Sequence, residues 1–339
     1  MPQDPTVPTL DDVARAAGVS TATVSRCLNL PGKVSAQTRD RVMAAVEALG
    51  YTPNFGARVM ASRRSHTIGA IIPTMENAIF ARGLQAFQEE LHRLGYTLLV
   101  SSNAYRPEIE AEQIRALVGR GADGLLLIGY ARDQSVYDYL ARQSIPTLLA
   151  WAWQAGSTTP AVGFDNRASM RTLADEVLRL GHRRIAMISG VVEGNDRAGE
   201  RLAGLRESMA AAGLDPDALP VIETPYEIDN GAEAFAALMA RTPRPSVVMC
   251  GNDVLAVGAM QRAHRMGLSV PGDVSVTGFD DIELARIVSP PLTTVHVPHR
   301  DMGRRAAQEL IAMVSGESPG RPLKLDSRLE LRGSLGPPP

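Results

Sequence analysis

Cysteine is nearly absent from this chain: Cys27 and Cys250 are the only two among 339 residues. They stand too far apart for a disulfide framework or a CxxC metal knuckle. Aromatic residues make up only 4 %, while Ala, Leu, Val and Gly are plentiful, which suits layers of helix on sheet. Long hydrophobic runs are missing as well. The longest uncharged stretch, Ser144 to Phe164, contains Pro146, Gln154 and Pro160 and is too polar to span a bilayer, so no membrane partner is expected. Met1 to Thr6 shows no basic segment followed by an apolar one, so no secretory signal is expected, and a reducing cytoplasm is the expected location. Neither sign of charge dominates, since 35 basic residues face 37 acidic ones for a net charge of −2. The equipment of common enzymes is also lacking. There is no GxGxxG after Ile68–Ile72, no GxxxxGK phosphate loop, no GxSxG elbow and no HExxH. No enzyme and no cofactor are expected. His296 and His299 stand three apart without a third ligand nearby, which favours a satisfied pair over a metal site.

What is present is unevenly distributed. Residues 1–66 hold eight basic and five acidic groups, a charge of +3, which leaves −5 for residues 67–339. A small basic head on an acidic body is the asymmetry of a nucleic-acid-binding module joined to a separate globular unit. The length agrees, since at about 150 residues per domain the prior is two or three domains.

The head reads as helices. Thr9 and Asp12 form a capping-box start, the first helix runs to about Ala17, and Gly18 permits a tight turn. Ser20 caps a second helix with Val24, Cys27 and Leu28 on its apolar side. Ser35 caps a third that Gly50 stops. Helix, glycine turn, helix over residues 10–28 is a helix-turn-helix. Thr21, Ala22, Thr23, Ser25 and Arg26 are its candidate DNA contacts, and Arg26 is suited to bidentate contact with guanine in the major groove. Asn54 is a candidate cap for a short helix to Ala61, followed by a polar linker.

From Thr67 onward, short apolar runs alternate with amphipathic stretches. Nine strands are expected: Ile68–Ile72, Thr97–Ser101, Gly124–Ile128, Thr147–Trp151, Ile185–Ser189, Leu219–Glu223, Ser246–Cys250, Val274–Gly278 and Thr294–Val295. The helices between them include Phe80–Leu94, Glu108–Arg120, Ser169–Leu180, Arg197–Ala212, Gly231–Arg241 and Val254–Met266. Such alternation gives an α/β fold of parallel sheets with right-handed crossovers, in one large sheet or two smaller ones. The phrase helix, Leu-Gly, strand recurs at Leu94-Gly95 and Leu180-Gly181, which points to two similar lobes.

The segment Leu10-Asp-Asp-Val-Ala-Arg-Ala-Ala-Gly-Val-Ser-Thr-Ala-Thr-Val-Ser-Arg26 resembles the amino-terminal signature of the LacI/GalR family of bacterial repressors. Similar matches follow at Val34–Arg39, Leu49–Asn54, Leu180–Ile185, Arg201–Gly204, Asn252-Asp253, Gly278–Asp281 and Pro290–Thr294, so the resemblance covers roughly residues 9–333. It implies a helix-turn-helix DNA-binding domain at 1–53, a hinge helix and linker at 54–66, and an effector-binding and dimerisation domain at 67–333. That body would be periplasmic-binding-protein-like, with two Rossmann-like lobes. The N-lobe would hold about 67–164 and 296–324, the C-lobe about 165–295 and 325–333. The chain would cross between them near Phe164-Asp165, Val295-His296 and Lys324-Leu325. The implied partners are palindromic operator DNA, a small-molecule effector in the cleft, and a second copy in a homodimer.

The resemblance also implies roles. Asn54, Arg58 and Met60 would join the DNA contacts, with Met60 where family members usually carry a wedging leucine; a flexible apolar side chain can still enter a base step. Phe80, Trp151, Arg201, Asn252, Asp253 and Asp280 would form the effector site. Four of these have a plainer alternative. Phe80 and Trp151 could serve the core or rim, Arg201 could pair on the helix surface with Glu200 or Glu207, and Asp253 could simply cap a helix. Val297 and Ile128 stand where lactose-responsive members carry glutamine and asparagine, which argues against a simple galactoside. Ala161–Asn166 and Met302-Gly303 resemble the gluconate-repressor branch, whose ligands are sugar acids. The implied function is a repressor controlled by a sugar, sugar acid or similar molecule. An activator working with a protein co-effector is the alternative. A transport binding protein would need an export signal and would lack residues 9–62 as found. No leucine heptad follows residue 333, so a tail-built tetramer is not expected. Replacing Arg26 with alanine should weaken binding to a cognate site by about 1–3 kcal/mol and relax preference at one base pair. Binding measured across single-base operator variants checks this, and unchanged selectivity would remove Arg26 from readout.

Overall fold

The computed structural model describes residues 7–29, 31–52, 64–76 and 78–339, in two compact units that divide after Ser65. The candidate short helix from Asn54 to Ala61 lies outside the described residues.

The first unit is built on three helices, α1 (Leu10–Ala17), α2 (Thr21–Asn29) and α3 (Ala36–Leu49). Thr9 and Asp12 close a reciprocal capping box on α1, and Gly18 ends it in the left-handed conformation at φ 63°. Ser20 accepts the Thr23 N–H at 3.2 Å at the start of α2, and Ser35 caps α3. Val13, Ala14, Ala17, Val24, Cys27, Val42 and Ala45 form the buried miniature core.

The second unit holds two parallel sheets. The larger contains β1 (Thr67–Ile72), β2 (Thr97–Ser102), β3 (Gly124–Ile128), β4 (Thr147–Ala150), β5 (Ala161–Gly163) and β11 (Pro322–Lys324), in the order β11-β5-β4-β3-β1-β2. The smaller contains β6 (Ile185–Ser189), β7 (Val221–Glu223), β8 (Val247–Cys250) and β9 (Ser275–Thr277), in the order β7-β6-β8-β9. A third, antiparallel pair joins β10 (Thr294–His296) to β12 (Arg328–Glu330). The helices are α4 (Ala78–Arg93), α5 (Pro107–Gly119), α6 (Gln134–Arg142), α7 (Asn166–Arg179), α8 (Asp196–Ala211), α9 (Ile228–Met239), α10 (Asp253–Arg265), α11 (Leu284–Ile287) and α12 (His299–Ser315).

Both faces of each sheet are covered, which is why the strands read as continuous apolar runs. In the larger sheet, Ile68, Ala70, Leu126 and Ile128 share a core with Phe80, Phe87 and Leu91 of α4 and Ala306 and Leu310 of α12. The alternate residues Ile71, Leu125 and Leu127 pack against Ile114 and Leu117 of α5 and Val136 and Leu140 of α6. The smaller sheet repeats this: Ile185 and Met187 share a core with Leu173, Val177 and Leu205, whereas Ala186 and Ile188 share one with Phe235 and Leu255.

Two expectations are corrected. Among the described residues there are twelve strands rather than nine: β5, β11 and β12 are three residues each, too short to show a period, and exist because a neighbouring strand pairs with them. The helices begin one to three residues before their apolar periodicity does, since polar caps such as Asp165 and Asn252 open the first turn.

α4 and α12 cross at close quarters. A Cβ placed on Gly303 would overlap the carbonyl oxygen of Gly83, and one on Gly83 would enter the Trp151 ring. Gly303→Ala should therefore lower stability by about 1–3 kcal/mol through overpacking against backbone. Gly119→Ala, which meets nothing within 4 Å, is the control. Equal melting temperatures for the two variants would refute the close-approach reading.

Candidate functional site

The first unit presents Arg26 and Ala22 exposed on α2, with Thr21, Thr23 and Ser25 partly buried beside them. Val24 and Cys27, on the opposite side, are buried. Short polar side chains and one long cation on an outward helix face can contact phosphates and base edges. The other candidate DNA contacts, Asn54, Arg58 and Met60, lie outside the described residues.

In the second unit, the loops at the carboxyl ends of the two parallel sheets face each other across a cleft, the location where open α/β sheets place ligands. One compartment of the cleft is lined by Ile79, Phe80, Tyr105, Trp151, Phe164, Asn166, Asn195, Arg197, Arg201, Tyr226 and Asp280. Four of the six expected effector residues are brought together there: Phe80, Trp151, Arg201 and Asp280. Asn252 and Asp253 do not line it. Asn252 accepts the Leu255 N–H at 2.9 Å as the cap of α10. Asp253 is fully buried, accepting from Ile282 N–H at 2.8 Å and from the Thr294 hydroxyl at 2.6 Å, so it ties the loop after β9 to β10 and caps nothing. Burial, reinforced by Asp280, pushes its carboxyl well above the usual range.

Arg201 does not pair on the helix surface; Arg167 binds Glu200 and Glu207 instead. The Arg201 guanidinium is buried, donating to Asn166 Oδ1 and to the Tyr226 hydroxyl, each at 3.2 Å, and lies 4.8 Å over the Phe279 ring. Asn166 in turn donates to the Trp151 carbonyl at 3.1 Å. The Trp151 indole N–H donates to His299 Nδ1 at 3.2 Å. Burial pulls His299 down to about 4, so its ring is neutral near pH 7. An indole can only donate, so Nδ1 is the acceptor and the proton sits on Nε2, which donates to the Asp280 carbonyl at 3.2 Å. His296 binds Asp281 instead, at 2.8 Å. The two histidines are thus satisfied separately.

Three buried polar atoms in this compartment have no partner among the described residues: Arg201 Nε, Asn195 Oδ1 and Asp280 Oδ2. Buried polar atoms are normally paired, and a cluster of orphans lining one cavity is the complement of a ligand that brings donors and acceptors. Free space is about 20 Å³, room for little more than a water molecule. A ligand of sugar or purine size therefore enters only when the lobes part. Two further contacts hold them closed: the Tyr130 N–H donates to Asp196 Oδ2 at 2.6 Å, and Arg82 pairs with Glu283.

Tyr105, Asn166, Asn195, Arg197 and Tyr226 were not anticipated from sequence. A signal did exist, since each lies just past the carboxyl end of a parallel strand: β2, β5, β6 or β7. Among the described residues, no group of acidic, histidine and cysteine side chains could hold a metal ion, and no helix is long and apolar enough to cross a membrane.

A helix-turn-helix unit followed by a two-lobed body with a polar cleft defines a DNA-binding regulator with a ligand-binding domain. Residues 9–54 match the description "Bacterial regulatory proteins, lacI family", and residues 174–335 match "Periplasmic binding protein-like domain". The transcriptional repressor PurR of Vibrio campbellii is 35 % identical over 307 residues, covering 90 % of this chain and 92 % of that protein. The transcriptional regulator GntR of Escherichia coli K12 is 31 % identical over 311 residues, covering 92 % and 93 %. The crystal structure of the lac repressor dimer bound to operator and the anti-inducer ONPF superposes with a TM-score of 0.86 at 27 % identity, covering 97 % of this chain and 99 % of that one. The chain belongs to the LacI family, and it is a DNA-binding transcriptional regulator.

The pH response of Asp280 can be tested directly. Burial raises its carboxyl from the ordinary 3.8 to about 6, against the opposing pull of Arg201 and Arg197. The folded protein thus holds this proton more tightly than the unfolded chain does, and the Asp280 contribution to stability falls as pH rises from 3.8 to about 6. Asp280→Asn should remove that slope, gaining on the parent across this window by on the order of 2–3 kcal/mol. Parallel stability–pH curves for parent and variant would contradict it.

Proposed function

We propose that the protein is a transcriptional repressor that binds a palindromic operator as a homodimer and is released from it, or driven onto it, by a small polar effector in the inter-lobe cleft. The observation that carries this reading is the set of orphan atoms on Arg201, Asn195 and Asp280 facing one cavity between aromatic walls. The effector is a sugar, sugar acid or similar molecule. Its hydroxyl or N–H groups donate to Asp280 and Asn195, an oxygen accepts from Arg201, and a flat face lies against Phe80 or Trp151. Thr21, Ala22, Thr23, Ser25 and Arg26 read the half-site, and Asn54, Arg58 and Met60 act at the centre of the palindrome. PurR and GntR, as a repressor and a regulator, and the lac repressor bound to operator as a dimer support the same reading for this relative.

Control follows from closure. An effector that binds the closed lobes better than the open ones shifts that equilibrium by its differential affinity, typically about 1–3 kcal/mol. Differential scanning fluorimetry against sugars, sugar acids and purines tests the ligand class, since a ligand at 100 times its dissociation constant stabilises by roughly 2.7 kcal/mol. Arg201→Ala should leave operator binding in place and abolish the response to whichever compound stabilises the parent. A normal response in that variant would sink the cleft assignment.

A further inference from the structure

The cleft has two compartments. A second one, lined in part by Pro73, Asn103, Pro107, Glu110 and Gly194, adjoins the one around Arg201 and Asp280, and among the described residues Tyr105 and Arg197 alone line both. These two side chains form the partition, and they are held in different ways. Arg197 is fixed by an ion pair with Asp196 at 2.9 Å, and Asp196 is itself bound by the Tyr130 N–H. Tyr105, in the loop after β2, meets Tyr226, in the loop after β7, with ring centroids 6.0 Å apart at 49°. Tyr226 is anchored. Its ring covers Gly190 so closely that any Cβ there would overlap it, and its hydroxyl accepts from Arg201 and Asn195.

Tyr105 has no such anchor. Its hydroxyl makes no hydrogen bond among the described residues, and its ring meets that of Tyr226. The backbone beneath it is strained instead. Ala104 and Tyr105 lie consecutively in the left-handed region at φ 51° and 59°, where residues with a Cβ are uncommon. The Tyr105 N–H donating to Asn103 Oδ1 at 3.0 Å holds that turn. Local strain of this kind persists where surrounding contacts over-determine it, and here the turn, also closed by the Arg106 N–H donating to the Asn103 carbonyl at 2.9 Å, and the cross-cleft ring contact act together.

We infer that Tyr105 is the movable wall of the cleft: closed on Tyr226 it separates the compartments and limits the size of ligand the one around Arg201 accepts, and swung off it joins them. This rests on reading the cleft as the effector site, but its test requires no effector. The chain has two tryptophans, Trp151 in the compartment around Arg201 and Trp153. In a Trp153→Phe background, acrylamide quenching reports on access to Trp151 alone. Tyr105→Ala should raise the quenching constant several-fold, and Tyr105→Phe, which keeps the ring, should leave it at the parent value. Tyr105 is only partly buried, in a loop outside the core, and Tyr105→Ser provides a second truncation with the same expectation. Unchanged quenching in both truncations would overturn the proposal, and so would a rise in Tyr105→Phe equal to that in Tyr105→Ala. A cleft that takes no effector would leave the quenching result intact, so the two readings fail separately.

Discussion

A guanidinium buried at the join of two lobes constrains much of the body. Taking such a charge out of water costs several kcal/mol unless hydrogen bonds and opposite charge replace the water. The Arg201 partners come from separate parts of the chain: Asn166 at the start of α7, Tyr226 after β7, and the Phe279 face after β9. Asn166 passes the constraint to the Trp151 carbonyl, Trp151 to His299, and His299 to the Asp280 carbonyl beside the cavity. The result is a nearly closed polar circuit that visits both sheets and two places where the chain passes between them. Each member is held by the next, so the position of the cleft walls is coupled to the angle between the lobes.

That coupling gives a regulator what it needs. On the proposed reading, a ligand entering the circuit at Arg201 and Asp280 would change which arrangement of the lobes satisfies the buried groups. The positions on either side of Asp280 reinforce the link. The Asp280 N–H donates to the Val295 carbonyl on β10, and Asp281 binds both His296 and Arg332, at 2.8 and 2.6 Å. A displacement of this loop is therefore felt directly by the β10–β12 pair between the lobes.

Much of this was legible in the residues. The capping box at Thr9 and Asp12, the Gly18 turn and the inward Val24 follow from local chemistry, and local chemistry acts in the same way wherever the helix sits. Arg201 and Asp280 were expected in the cleft because they stand where the motifs resembling the LacI/GalR family place ligand-contacting residues. Asn252 and Asp253 stand at such a position too, yet the structure spends them elsewhere, one on a helix cap and the other on a loop tie, because those backbone groups needed partners more than the cavity did. The three-residue strands escaped detection for the opposite reason: pairing made them, and their sequence has no period of its own.

The opening scarcities take on meaning in this light. With so few aromatics, Phe80, Trp151, Tyr105 and Tyr226 meeting around one cavity is a concentration that composition alone could not show. Sequence by itself determined the helical head, the alternation that makes parallel sheets, and the division of charge between head and body, because these depend on neighbours in the chain. The tertiary structure alone decided which side chains face one another across the cleft, which polar atoms are left without partners, and how Tyr105 comes to rest on Tyr226. Those are contacts between residues tens to hundreds of positions apart, and no local period or propensity encodes them.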